Sequence, residues 1–234
     1  TALARALVHD PANIVLDDAN LAEILPTAIK QCFANTGQVC AGLSRLLVPK
    51  HLLAQVEALV LDNLAQWVVG DPLDGATKMG PAASRAQQQR VFASIQSGLD
   101  QGARLIKGGV GAPAGFAHGA YVQPTVFSDV LPHMEIAREE IFGPVLSLMS
   151  YSDEADAIRI ANDSAYGLAG GVWSADAKRA ERVARRMNTG QVVLNGAPLN
   201  LHAPFGGRKL SGLGYEYGRV GVEEYFRYKS LQGA

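Results

Sequence analysis

The chain has 234 residues, with 21 Lys and Arg against 22 Asp and Glu, a formal net charge of −1, and 48% hydrophobic positions. Near-neutral charge removes the electrostatic footprint of a nucleic-acid binder, and no uninterrupted apolar run reaches the roughly 18 residues of a membrane span. No basic segment followed by an apolar run opens the sequence, so the expected compartment is the cytoplasm, and a chain of this length buries about 70% of its unfolded surface without disulfides or metal.

Short runs rich in Val, Ile and Leu alternate with stretches of helical periodicity, which predicts an α/β fold with a mostly parallel open sheet and helices on both faces. Residues 13–16 read as a strand. Asn20, with Glu23 three residues on, makes a capping-box helix start in which Pro26 marks a first turn or a re-start. A strand over 43–48 precedes a helix from about His51 to Val69, with Leu52, Val56, Leu59, Val60 and Leu64 at helical spacing. Gly70 to Gly75 is a loop by its breakers. Ser84 opens a helix that carries Val91, Phe92, Ile95 and Leu99 on one face and ends with Gly102 as its C′ residue. The stretch 108–119 is rich in breakers, and 121–127 alternates like an edge strand that tolerates Pro124. Residues 145–151 read as a buried strand, 153–162 as a helix with an acidic first turn, 168–173 as a strand and 175–187 as a basic helix. Residues 191–194 read as the last buried strand, and a Tyr-rich tail follows from Tyr215.

Three stretches carry chemistry-bearing residues. Cys32 and Cys40 lie eight apart with no Cys-x-x-Cys or His-rich spacing, so neither a disulfide framework nor a metal site is expected. Cys40 sits between a helix end and a strand, flanked by Gly37 and Gly42. It reads either as a small buried hydrophobe or as a thiol nucleophile whose glycines allow close backbone approach to a substrate. Glu139 and Glu140 lead into Phe142, a Gly143-Pro144 turn and a strand; they form a solvated acidic helix end or part of a site. Residues 203–218 are dense in glycine and contain Arg208 and Lys209, which fits a phosphate cradle or a long connection. No Walker A loop and no Gly-x-Gly-x-x-Gly turn occurs.

Taken in order, TGQVCAGLSR (36–45), GDPLD (70–74) with Gly80-Pro81 after it, EEIFGPV (139–145), AYGLAGGVW (165–173), TGQVVLN (189–195) and PFGGRKLSGLG (204–214) closely resemble the catalytic half of the aldehyde dehydrogenase superfamily. The resemblance runs from about Pro11 to the C-terminus. It implies that Cys40 is the nucleophile that forms a thiohemiacetal and then a thioester, with its amide in the oxyanion hole. Cysteine suits that task because its thiolate both attacks well and leaves well. It further implies that Glu140 binds the nicotinamide ribose hydroxyls, that Phe142 positions the ring, and that Gln87 and Arg90 contact the cofactor from the exposed face of their helix. Arg90 stands where a lysine is frequent. Phe205 matches an aromatic near the substrate channel and Asn195 a site-framing asparagine, although a structural role for Asn195 in tying down the following loop reads equally well.

The implied division is a family-unlike segment 1–10, a catalytic domain 11–214, and a tail 215–234 with an oligomerisation strand over 223–231. The implied partners are an aldehyde and further copies of the chain. The implied cofactor is NAD or NADP for a longer enzyme, with none held by this chain alone. The dinucleotide-binding half of the family pattern has no counterpart here, and the general-base glutamate of the family falls on Ala6, so the chain alone is expected to be inactive. A base role for His9 is the alternative near that position. Two other readings stand beside this one: a non-catalytic relic or interaction module of the same fold, and a thiol hydrolase using Cys40 with His202 or His133 as base.

Overall fold

In the computed structural model, which describes residues 12–233, the elements run β1 (Ala12–Val15), α1 (Leu21–Phe33), β2 (Arg45–Pro49), α2 (Leu53–Leu64), α3 (Arg85–Asp100), β3 (Arg104–Lys107), β4 (Thr125–Ser128) and β5 (Val145–Tyr151), followed by α4 (Glu154–Asn162), β6 (Tyr166–Gly167), β7 (Gly171–Trp173), α5 (Ala177–Ala184), β8 (Val193–Leu194), β9 (Arg208–Lys209) and α6 (Gly218–Glu223). The family-unlike segment 1–10, with Ala6 and His9, lies outside the described residues.

Seven strands form one sheet in the order β3-β4-β5-β2-β1-β7-β8, parallel throughout except that β3 runs antiparallel to β4. Side-chain alternation divides the core between the two faces. Ile14, Leu47, Val145 and Met149 pack with Val91 and Ile95 of α3, Ala157 of α4 and Val183 of α5. Val15, Leu46, Val48, Leu146 and Leu148 pack with Leu25 and Ile29 of α1 and Val56 and Val60 of α2. A parallel sheet buried on both faces demands such predominantly apolar strands, and each fully buried Leu, Ile or Val contributes about 1.5–3 kcal/mol.

Buried and paired cations brace the frame. Arg45 in β2 is 1% exposed and donates to the carbonyls of Ile160 (3.3 Å) and Ala161 (3.5 Å), so a positive charge meets the C-terminal end of α4. At the carboxyl ends of the strands, Arg179 of α5 reaches Asp17 (2.6 Å), Asp18 (3.2 Å) and Glu154 (3.2 Å).

Several local expectations change. Pro26 lies inside α1, well past the first turn; it is exposed beside an equally exposed Ala22, so the missing i→i−4 bond falls where water reaches the freed carbonyl. Asn20 is the N-cap residue, but its side chain makes no capping bond. The helix after β2 is shorter than 51–69: a 3₁₀ turn over Lys50–Leu52 leads into α2, which ends at Leu64. Residues 121–127 do not form an edge strand. β4 is interior, Pro124 stands just before it, and the edge is the four-residue β3, whose exposed Arg104 and Lys107 and shifted register blunt it against further pairing. β8 is the other edge, two residues long and only half buried, where a last buried strand was expected. Glu223 closes α6, and residues 224–233 form no strand within this single chain. The tail from Tyr215 folds back onto the domain at first, because Phe205 and Glu216 exchange backbone bonds (2.8 and 2.6 Å).

Helix α3 matches its reading closely. Ser84 accepts the Gln87 amide at 3.1 Å, and Gly102, at φ 87°, sits in a Schellman turn with Ala103 N–H on Gly98 and Gly102 N–H on Leu99. Ser84→Ala is therefore expected to cost about 1 kcal/mol in denaturant unfolding, while Asn20→Ala changes the midpoint far less. Equal losses for the two would contradict the capping difference.

Candidate active site

Strands β2, β5, β7 and β8 are parallel, so the loops that precede them open along one rim of the sheet, at the amino ends of the strands. Those loops contain Cys40, the 139–144 segment, 168–170 and 188–192.

The loop before β2 starts with three successive left-handed residues, Asn35 (φ 50°), Thr36 (φ 60°) and Gly37 (φ 71°). Such a conformation costs a non-glycine residue about 1–2 kcal/mol and persists only where its surroundings impose it. Asn35 Nδ2 donates to the Gln38 carbonyl and Gln38 Nε2 donates to the Asn35 carbonyl, both at 3.1 Å. A side chain at Gly37 would overlap the Gly143 carbonyl. A turn then closes with Gly42 N–H on the Val39 carbonyl (2.8 Å), and Cys40 and Ala41 form its tip.

Cys40 is half buried there. Burial pushes its thiol pKa up; the amides of Ala41 and Cys40 pull it down by donating to the sulfur, and the carboxylates of Glu140 and Glu216 push it up again, for a net rise. Cys32 is different. It is buried in the α1 face of the core, donates to the Val145 carbonyl at 3.4 Å, and burial alone drives its pKa far above the thiol range, which makes it an inert packing residue.

The 139–144 loop carries a half-buried Glu140 and a Phe142 that is 38% exposed at φ 50°. Gln87 is not on the exposed face of α3: it is only 9% exposed, and its Nε2 donates to the carbonyls of Ile141 (3.2 Å) and Phe142 (2.9 Å). The pattern around Gln87 concealed this, because a glutamine between Ala86 and Gln88 gives no apolar signal of burial. Arg90 is exposed on the same helix.

Asn195 has a structural partner: its Oδ1 accepts Ser174 N–H (2.9 Å) and its Nδ2 donates to the Ser174 carbonyl (3.0 Å), so its side chain extends the pairing of β7 with β8. That places it at the carboxyl end of β8, on the rim away from the Cys40 loop. Phe205 is half buried and helps line a cleft of about 310 Å³ with Leu168, Gly206, Leu213, Tyr215 and Glu216. The basic pair beside it forms no phosphate cradle: Lys209 donates to the carbonyls of Asn162 and Ser164 at 2.8 Å each, capping α4, and Arg208 reaches Asn188.

The structure thus gathers Cys40, Glu140, Phe142 and Gln87 on one rim and adds two residues that the sequence reading did not single out. Glu216 reaches Cys40 electrostatically because its strand partner is Phe205, a pairing that glycine-rich sequence conceals. Gln38 is a loop brace whose role depends on a segment 45 residues away. The expected histidine bases are elsewhere: His202 lines a tail cleft with Arg219, Val222 and Phe226, and His133 lies exposed in the turn before the 3₁₀ segment Glu135–Ala137. Neither histidine is among the groups that act on the Cys40 thiol, so nothing here favours the thiol-hydrolase reading. No group of three or more His, Cys, Asp or Glu side chains is arranged to hold a metal among the described residues, and none of the described helices is long and apolar enough to cross a membrane.

Because burial, and after it the carboxylates of Glu140 and Glu216, raise the thiol pKa, alkylation of Cys40 should keep accelerating above the ordinary thiol pKa as thiolate forms. Glu140→Gln or Glu216→Gln removes a negative charge, lowers the thiol pKa and should raise the rate at neutral pH, read by intact-mass kinetics with Cys32 as the slow internal control. Unchanged rates in both variants would show that the carboxylates do not act on the thiol.

The aldehyde dehydrogenase family profile matches residues 10–231. The 3-succinoylsemialdehyde-pyridine dehydrogenase of a Pseudomonas species is 49% identical over 222 residues, which cover 95% of this chain and 46% of that protein, so the chain spans about half the length of the curated relative. Among solved structures, an aldehyde dehydrogenase C variant from Pseudomonas syringae in complex with NAD+ and octanal is 46% identical with a TM-score of 0.91, over 93% of this chain and 45% of that one. The Mycobacterium tuberculosis aldehyde dehydrogenase in complex with NAD+ is 42% identical with a TM-score of 0.90, over 92% of this chain and 44% of that one. With the sheet, the rim and the ordered motifs in place along nearly all of its length, the chain belongs to the aldehyde dehydrogenase family.

Proposed function

We propose that the chain is the catalytic portion of an NAD(P)-dependent aldehyde dehydrogenase, which oxidises an aldehyde to a carboxylic acid with Cys40 as nucleophile. The observation that carries this reading is the thiol itself: half buried, set at the tip of a braced turn, with two backbone amides directed at the sulfur and the Glu140–Phe142 loop on the same rim. The Cys40 thiolate adds to the aldehyde carbon; a carbon–sulfur bond forms and the carbonyl electron pair moves to oxygen, where the Cys40 amide donates a hydrogen bond. Oxidation leaves a thioester on Cys40, and water attacks its carbonyl carbon to release the acid and return the sulfur as thiolate.

The residues fit the nicotinamide end of the cofactor. Glu140 offers a carboxylate acceptor suited to ribose hydroxyls, Phe142 an exposed aromatic face, and Gln87 holds the backbone between them, with Arg90 as an outlying contact. When bound, the cofactor supplies the two-electron acceptor. The sequence contains no glycine-rich turn for a pyrophosphate, so the chain alone is not expected to retain the dinucleotide. Phe205 borders the substrate cleft, and Asn195 frames the far rim from its bonds to Ser174.

This reading expects no NADH formation by the purified chain with aldehyde and NAD, activity when the chain is co-expressed with the N-terminal half of an aldehyde dehydrogenase relative, and loss of that activity in Cys40→Ala. Turnover by the chain alone would refute its dependence on the other half, and turnover by Cys40→Ala would refute the nucleophile.

We assign the protein to the cytoplasm and to a homo-oligomer joined through residues 223–231. Tyr225 (89%), Tyr228 (86%) and Leu231 (85%) leave apolar surface open to a second copy, which supports association. Sedimentation should show mass increasing with concentration, and Tyr225→Lys together with Tyr228→Lys should shift the population to monomer; a chain monomeric at every concentration contradicts the assignment.

A further inference from the structure

Three segments distant in sequence close on one another around Cys40. Thr36 Oγ1 donates to the Gly80 carbonyl (3.1 Å), and the Ala83 amide donates back to Gln38 Oε1 (2.8 Å), so 36–38 and 80–83 are joined in both directions. From Ala83 the chain enters α3 at the Ser84 cap, and one turn later Gln87 donates to the carbonyls of Ile141 and Phe142. The next carbonyl, of Gly143, lies against the backbone of Gly37 and closes the ring.

We propose that Gln38 and Gln87 are positioning residues that couple the Cys40 loop to the Glu140–Phe142 loop through this ring. Both loops hold residues at positive φ, Asn35 and Thr36 in one and Phe142 in the other, and such residues relax once a brace is removed. Gln38 Oε1 accepts from Ala83 across the gap while its Nε2 donates to Asn35 of its own loop, and Gln87 donates to two successive carbonyls of the second loop. A shift of either loop is therefore transmitted around the ring to the other, and the set of the thiol depends on what seats at Glu140 and Phe142. The catalytic meaning of this coupling rests on the reading of Cys40 as nucleophile; the coupling itself is measured without aldehyde or turnover, so the two can fail separately.

The test is Cys40 alkylation by iodoacetamide, followed by intact mass, with amide exchange over 139–145, in Gln38→Met, Gln87→Met and the double variant. Methionine keeps the side-chain length and removes the hydrogen bonds. Each single variant is expected to change the Cys40 rate by about threefold to tenfold, the scale of one net hydrogen bond, although Gln87 bonds only to the second loop. Gln38→Met is expected to speed exchange over 139–145, and the double variant should move the rate no further than the larger single one. Ala83→Pro deletes the donor to Gln38 from the other side and should reproduce the Gln38→Met rate, which keeps the test open if one glutamine variant folds poorly. Slow Cys32 labelling reports an intact fold. An unchanged Cys40 rate in Gln87→Met, or a double variant whose effect is the product of the two single effects, would overturn the coupling.

Discussion

The arrangement around Cys40 depends on one backbone contact, that of Gly37 with the carbonyl of Gly143. No side chain fits between them, so the nucleophile loop and the loop before β5 meet backbone to backbone. A positive φ at Gly37 costs glycine little, yet Asn35 and Thr36 before it lie in the same left-handed region, where the cost is real. The surrounding hydrogen bonds of Thr36, Gln38 and Gln87 make sense as the compensation that keeps this geometry populated.

The electrostatics follow from the same closeness. Drawing the two loops together puts Glu140 within reach of the thiol, and the Phe205–Glu216 pairing brings a second carboxylate there. The free thiol is thus stabilised in its neutral form, while two amides favour the charged one. A positive charge brought into the cleft would shift that balance toward thiolate, because it stabilises the charged form against the burial and the carboxylates that oppose it.

The sheet is largely legible because a doubly covered parallel strand is apolar on both faces, and 145–151 shows this with only Ser147 and Ser150 as exceptions. Cys40, Glu140 and Phe142 stand out only through the ordered motifs; composition alone gives each a bland reading. What stayed hidden shares a physical cause. Arg104 to Lys107 forms a strand of only four residues whose charged ends mask it, and Pro26 is tolerated in α1 because its face meets water. Gln87 is buried to satisfy two carbonyls that no local pattern announces, and Glu216 acquires its neighbour only when a glycine-rich segment turns back on itself. Long-range polar contacts of this kind leave no periodicity to read.

The two rims of the sheet are built differently. In open α/β sheets ligands usually meet the carboxyl ends of the strands, yet here that rim is occupied by Arg179 gripping Asp17, Asp18 and Glu154, while Cys40 stands on the amino rim. A division of labour results. The ion-pair cluster that ties α4 and α5 to the strand ends therefore stands apart from the Cys40 loop, so it can be strengthened without touching that loop.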